Sequence, residues 1–171
     1  MMIMVSPEKL RRFPFFAGLD GAVLKALAME GAEIELKTGD WLFQEGDEAD
    51  ALYVILSGLI DLKITLGTKG VYCADLCTLV EGDVLGWSSL VEPHFYRTGA
   101  VASTDCWLIK LNGACVRQLM EKDPEIGYKL MSRLSKTLGE RLTALRICYA
   151  SLIEGRRWQR MDGQQPVQSP N

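Results

Sequence analysis

The stretch Ala51-Leu52-Tyr53-Val54-Ile55-Leu56-Ser57-Gly58-Leu59-Ile60-Asp61-Leu62-Lys63-Ile64-Thr65-Leu66 decides the fold class. Its first six residues are continuously apolar, Ser57-Gly58 is a turn signal, and beyond it Leu62, Ile64 and Leu66 alternate with Asp61, Lys63 and Thr65. Two strands joined by a tight glycine turn follow, because an apolar period of two lines one face of a strand and no face of a helix. On the N-terminal side, the turns Thr38-Gly39-Asp40 and Glu45-Gly46-Asp47 bracket a strand at Trp41-Leu42-Phe43. Before them Ile34 and Leu36 alternate with Glu33, Glu35 and Lys37. On the C-terminal side, Gly67 to Gly70 reads as a turn and Val71 to Val80 as one or two strands. Glu81-Gly82-Asp83 is a further turn before Val84-Leu85-Gly86, and Ala100 to Ala102 and Cys106 to Leu111 flank Ser103-Thr104-Asp105. About eight short strands in roughly 80 residues is the spacing of a sandwich, barrel or jelly roll, and not of alternating strand and helix units.

Helices flank this β core. Ser6-Pro7-Glu8 has the form of an N-cap, a proline at the first helical position and an early acid. Leu10, Phe13 and Phe16 recur at spacings of three up to the break at Gly18, with Pro14 limiting the element to about two turns. Asp20 offers a second cap, ahead of Val23, Leu24, Leu27 and Ala28 on one helical face that ends near Gly31. Asn112 caps a short helix carrying Cys115, Val116, Leu119 and Met120. Asp123-Pro124-Glu125 then opens the longest helical pattern, expected over about 124–153, with Leu134, Leu138, Leu142, Leu145, Tyr149 and Leu152 at spacings of four and three. Such a helix is roughly 45 Å long at 1.5 Å per residue, more than one small barrel covers. Its seam is therefore expected to pair with the same helix of a second subunit through Leu138, Leu142, Leu145 and Tyr149, making a homodimer. The alternative is a helix folded back as two pieces broken at Gly139. The domain spans 6–154, and 155–171 read as a polar tail without order: Arg156, Arg157 and Arg160 make a small basic cluster, followed by Gly163, Gln164, Gln165 and two prolines.

Composition removes several function classes. The 171 residues suffice for one domain, and 48% hydrophobic against 24% charged residues closes a core. The net charge of −3 excludes a domain-wide basic field for nucleic acid. The longest strongly apolar stretch, Ala51 to Ile60, falls far short of the roughly 18–20 residues of a membrane span. No basic segment precedes the apolar Met1 to Val5, so no secretory signal is expected and the cytoplasm is the expected location. Cys73, Cys77, Cys106, Cys115 and Cys148 are odd in number and scattered, which reads as free thiols in a reducing compartment. A single histidine, His94, read as a surface loop residue between Pro93 and Phe95, leaves no ligand cluster for a metal and no Cys-His pair for nucleophilic catalysis. Glu45, Asp47, Glu48 and Asp50 occupy a turn, where acids are ordinary. No catalytic residue and no enzyme activity are expected.

The most informative chemistry lies between Gly82 and Ala102. Gly86 permits a tight backbone approach, Trp87, Ser88 and Ser89 begin a short helical turn, and Arg97 follows after a loop. Backbone N–H groups on one side and a guanidinium on the other are the elements of a small-anion site.

From Phe13 to about Leu152 the chain resembles the cyclic-nucleotide-binding domain family, the sensory module of catabolite-activator-like bacterial regulators, protein kinase A regulatory subunits and gated channels. Six pieces in order carry the resemblance: Phe13-x-x-Phe16-x-x-Leu19; Gly39-Asp40-x-Leu42-Phe43-x-Glu45-Gly46-Asp47; Leu52-Tyr53-Val54-Ile55-Leu56-Ser57-Gly58; Gly82-Asp83-x-Leu85-Gly86; Arg97-Thr98-x-Ala100-Val101; and the Asp123-Pro124 helix start. It implies a mainly β fold, an eight-stranded antiparallel jelly roll (double-stranded β-helix) with short N-terminal helices and a long C-terminal helix. It also implies a phosphate-binding cassette for cAMP or cGMP, formed here by Gly86, Trp87, Ser88, Ser89, Arg97 and Thr98, with Arg97 on the cyclic phosphate and Thr98 as its hydroxyl neighbour.

Two departures stand out. Trp87 occupies the place of the glutamate that in the family accepts a hydrogen bond from the ribose 2′-hydroxyl, so a charge-assisted bond worth about 1.5–3 kcal/mol is missing. Gly99 replaces the usual alanine after Thr98. The expectation is a regulatory sensor that binds cAMP or a related small anion and transmits occupancy to the C-terminal helix. The alternative is a protein-interaction or dimerisation module that has lost nucleotide binding. DNA binding by this chain alone is not expected, because the 18 residues after Ile153 are too few for the family's winged helix.

Overall fold

The computed structural model describes residues 3–66 and 72–162. Among the described residues nine strands form two antiparallel sheets. One has the order β1 (Ile3–Met4), β2 (Gly31–Leu36), β9 (Cys106–Asn112), β4 (Ala51–Ser57), β7 (Val84–Leu85). The other runs β3 (Trp41–Phe43), β8 (Gly99–Ala102), β5 (Ile60–Leu66), β6 (Tyr72–Leu79). With the two-residue β1 set aside, β2–β9 are the eight strands of a jelly roll. Val71 to Val80, open between one strand and two, contains one. The inner faces follow the period-two pattern: Ile60 stands opposite Ala102 and Leu62 opposite Ala100, all buried, while Asp61 and Lys63 alternate to the other side. Ala51, Tyr53 and Ile55 of β4 and Leu108 of β9 complete the interior.

The Ser57-Gly58 turn is locked by geometry. Gly58 has φ +91°, and a Cβ there would lie 2.5 Å from the Asp105 carbonyl oxygen and 2.6 Å from Cys106 Sγ. Only glycine meets both conditions.

The helices start where their caps predict. Ser6 Oγ accepts from the Lys9 N–H (3.2 Å) above α1 (Pro7–Arg11), which leads into a 3₁₀ turn at Pro14–Phe16. Asp20 Oδ1 accepts from Val23 N–H (2.9 Å) above α2 (Gly21–Met29). Asn112 Oδ1 accepts from Cys115 N–H (3.1 Å) above α3 (Gly113–Lys122). Asp123 Oδ1 accepts from the Glu125 N–H (3.0 Å) at the head of α4 (Pro124–Asp162).

Helix α4 is unbroken through Gly139, where nothing lies within 4 Å of an added Cβ. One glycine costs a helix about 1 kcal/mol relative to alanine, too little to break it. The helix also continues to Asp162, past the expected end near 153; the rest of the expected tail, 163–171, lies outside the described residues, as does the expected turn at Gly67 to Gly70. The chain divides into two compact units, Met1–Leu134 and Ser135–Asn171. Within the first, Ile126, Leu130 and Leu134 of α4 are buried, and the Arg133 guanidinium donates to the carbonyls of Phe15 (3.0 Å) and Ala17. In the second, Leu138 and Leu145 are half-buried, while Leu142 and Tyr149 are exposed. Among the described residues there is no disulfide, and no helix is long and apolar enough to cross a membrane.

Candidate ligand-binding cassette

The segment from Gly86 to Thr98 is a loop held at both ends by the roll. Gly86 sits in the left-handed region (φ 76°, ψ 23°) as the residue before a 3₁₀ turn at Trp87–Ser89. A Cβ there would lie 2.6 Å from the Ala51 carbonyl oxygen, 3.1 Å from Tyr53 Cδ2 and 3.4 Å from Tyr96 Cε1. Both conformation and close packing therefore demand glycine. The turn closes through Ser89 N–H to Gly86 carbonyl (3.0 Å) and Leu90 N–H to Trp87 carbonyl (2.9 Å). At the other end the segment is stitched to the Glu45-Gly46-Asp47 turn and its sequel: Gly46 N–H donates to the Tyr96 carbonyl (2.9 Å), Tyr96 N–H to the Asp47 carbonyl (2.9 Å) and Ala49 N–H to the His94 carbonyl (2.7 Å). The acidic turn is thus the bracket that fixes the backbone immediately before Arg97.

The six expected site residues fall into two groups. Arg97 is exposed and makes no hydrogen bond or ion pair among the described residues, and Thr98 beside it is half-buried. Ser88 and Ser89 are buried instead, and Trp87 is half-buried. The Ser89 side chain packs at the head of α3, where a Cβ on Gly113 would lie 2.8 Å from Ser89 Cβ, and its hydroxyl has no hydrogen-bond partner among the described residues. The Ser89 carbonyl accepts from the Arg117 guanidinium of α3. Ser89 thus anchors the turn to the head of α3, while Arg97 presents its charge to solvent.

Several residues at this place were not legible as site residues. Tyr96 is 3% exposed and stacks on Phe43 with ring centroids 3.7 Å apart and planes 11° from parallel. Its hydroxyl lies 3.0 Å from the Ala51 carbonyl oxygen, to which it donates, and 3.3 Å from Asp50 Oδ1, while the Ala51 N–H donates to it at 3.3 Å. Lys110 Nζ donates to Asp50 Oδ2 at 2.8 Å. Burial pushes the Tyr96 phenol pKa well above its usual value, with the neighbouring Tyr53 adding to the effect, so the phenol keeps its proton. His94, read as a surface residue, is half-buried in the left-handed region (φ 59°) with Nδ1 3.2 Å from the Ser88 carbonyl oxygen. The Gly99 departure has a steric cause: a Cβ there would lie 2.6 Å from Cζ3 of Trp41, whose indole takes the volume an alanine methyl needs. An aromatic residue directly before the arginine and a tryptophan on the paired strand were the available signals.

Comparison with known proteins agrees with this architecture. Residues 33–123 match the model of the cyclic nucleotide-binding domain. The chain belongs to that family. It is 25% identical over 133 residues to a CRP-like cAMP-activated global transcriptional regulator of Mycobacterium tuberculosis, covering 77% of this chain and 58% of the relative. It is 29% identical over 105 residues to a cAMP-dependent protein kinase regulatory subunit of Dictyostelium discoideum, covering 61% of this chain and 32% of the relative. The chain therefore spans less than two thirds of the length of these curated relatives. The crystal structure of a candidate cyclic nucleotide-binding protein of Geobacter metallireducens GS-15 superposes with a TM-score of 0.73 at 32% identity, covering 81% of this chain and 99% of that one. The Thermus thermophilus catabolite activator protein superposes with a TM-score of 0.63 at 27% identity, covering 80% and 63%. Family membership and these relatives support a regulatory, ligand-sensing role.

Proposed function

We propose that this chain is a non-catalytic sensor domain in which Arg97, with Thr98 and the Gly86 turn, engages cAMP or a related small anionic ligand and passes occupancy to α4. The single observation that carries the reading is Arg97 itself: an exposed guanidinium without a partner among the described residues, on a backbone held by the Gly46–Ala49 bracket. A charge so placed is available to an incoming anion, and Gly86 lies beside the Tyr96 ring that precedes it. The ligand shifts the α4 equilibrium only by its differential affinity for the two states. The Leu138, Leu142, Leu145 and Tyr149 seam makes the unit a homodimer, the heptad spacing and the exposure of Leu142 and Tyr149 being its support. The free cysteines suit a cytoplasmic location, and the net charge of −3 speaks against DNA binding by this chain alone.

A thermal-shift screen with cAMP, cGMP, AMP and inorganic phosphates, comparing the wild type with Arg97→Ala, tests the assignment. A ligand at 100 times its Kd stabilises the folded state by about 2.7 kcal/mol, so an Arg97-dependent rise in Tm is the expected result. A flat screen with both proteins folded removes the sensor reading in favour of a second one, an interaction module that has lost its ligand. Two observations favour that alternative: Trp87 at the place of a carboxylate, and the closure of the roll interior beside Gly86 by Phe43, Tyr53 and Tyr96.

A further inference from the structure

We propose that Tyr96 is the specificity-determining residue of the Arg97 site and that the ligand is a compact phosphate-class anion, not a nucleotide whose base lies inside the roll. The proposal rests on the reading of Arg97 given above and deepens it.

The rings of Tyr96 and Phe43 are stacked, and Phe43 lies 5.9 Å from Tyr53, so the three make one aromatic block. The block sits against Gly86, where an added Cβ would meet both tyrosines. Around it the walls are closed, with Ala51, Ile60 and Ala100 0% exposed and Leu62 8% exposed, whereas Leu36, Leu42 and Leu76, which pack against the same core, are half-buried. A wall residue that faces a space large enough for water exposes area to that space; walls with none are in contact with one another. A purine is several times larger than a water, so room for one inside the roll beside Gly86 requires Tyr96 to leave. Its departure breaks the hydroxyl contacts with Ala51 and Asp50 and the stack on Phe43. Arg97, the next residue, is exposed, and a small anion reaches it from solvent with the block intact. The missing carboxylate at Trp87 agrees, since such a ligand needs no acceptor for a ribose hydroxyl.

Isothermal titration of the full chain with inorganic pyrophosphate and with cAMP tests this, using the wild type, Arg97→Ala, Tyr96→Ala and Tyr96→Phe, each checked for folding by circular dichroism. The wild type is expected to bind pyrophosphate at least tenfold tighter than cAMP, and Arg97→Ala to lose both. Tyr96→Ala, which empties the block, is expected to raise cAMP affinity at least tenfold with little change for pyrophosphate. Tyr96→Phe keeps the ring and the wild-type preference. A merely structural role for Tyr96 lowers both affinities together, so a change in preference is the distinguishing readout. Arg97-dependent cAMP binding by the wild type as tight as that of pyrophosphate, or an unchanged preference in folded Tyr96→Ala, overturns the proposal and leaves the Arg97 site standing. Absence of Arg97-dependent binding for both probes in every folded variant overturns the site itself. If Tyr96→Ala does not fold, Phe43→Ala opens the same space from β3 and is held to the same outcomes.

Discussion

Residues 51–62 and residues 142–153 both carry many large apolar side chains, yet they end in opposite environments. Leu52, Val54, Ile55 and Ile60 are fully buried, whereas Leu142, Tyr149 and Leu152 are 58%, 67% and 64% exposed. The first segment contains β4, where Ala51 to Ile55 are buried on both faces of the strand, and the start of β5, whose Ile60 and Leu62 face the core. The second belongs to one helix, whose apolar residues recur at spacings of four and three and thus line a single seam. The burial shows that apolar content alone does not make a core: a seam needs a facing surface, and the distal α4 side chains Leu142, Tyr149 and Leu152 stay exposed. α4 itself contains the contrast, since Ile126, Leu130 and Leu134 near its start are buried.

The strongest break of this comparison is Leu108→Ala in β9. Leu108 is fully buried between the sheets, so truncation is expected to cost about 2–5 kcal/mol in urea unfolding. Gly58→Ala comes next: a left-handed φ and a Cβ overlapping the Asp105 carbonyl are expected to cost about 2–3 kcal/mol, read as a fall in Tm. At the buried start of α4, Arg133→Ala removes both bonds to the Phe15 and Ala17 carbonyls and is expected to cost about 1–2 kcal/mol, with faster hydrogen exchange over residues 124–134.

On the exposed side the double variant Leu142→Ala/Tyr149→Ala is expected to change unfolding stability by no more than about 0.5 kcal/mol in dilute protein. Sedimentation velocity at high concentration should instead show a shift from dimer to monomer. A large loss of stability in dilute protein would mean that the distal seam is covered within the chain after all.

The smallest effect concerns the surface of the roll. The Thr38 backbone N–H and the Lys37 ammonium hold the Asp105 carboxyl below the usual carboxylate range. Because the folded pKa is depressed, its contribution is present above the unfolded value near 4 and is lost as pH falls through the folded value. Asp105→Asn should therefore lower Tm slightly at neutral pH, and the gap to wild type should narrow as the pH falls below about 4.

Much of the fold was legible because its signals are local. Ser57-Gly58 turns where only glycine is tolerated, and Ser6, Asp20, Asn112 and Asp123 cap helices through bonds to N–H groups two or three residues on. Gly86 was legible as a tight turn from the residues, and its pairing with Arg97 came only through resemblance to a family. The division of labour inside the cassette was not legible. Ser88 and Ser89 read as part of a short turn with free N–H groups, and nothing in that reading told that both side chains are buried, Ser89 at the head of α3, or that His94, read as surface, reaches the Ser88 carbonyl. The pattern near residue 153 likewise did not reveal that α4 continues, since no strong breaker intervenes before Gly163.

By itself the amino-acid sequence determined the class of fold, the order of the strands along the chain, the helix starts and the presence of one arginine after a glycine turn. These depend on periodicity, φ requirements and capping bonds, all of which act over a few residues. Only the tertiary structure decided that Tyr96 lies on Phe43 and reaches Ala51, that Trp41 occupies the space above Gly99, and that Arg97 is exposed while Ser88 and Ser89 are buried. Those contacts join residues 45 to 58 positions apart, and close packing between sheets, to which local propensity is blind, selects which side chains fill the interior and which stay at the surface.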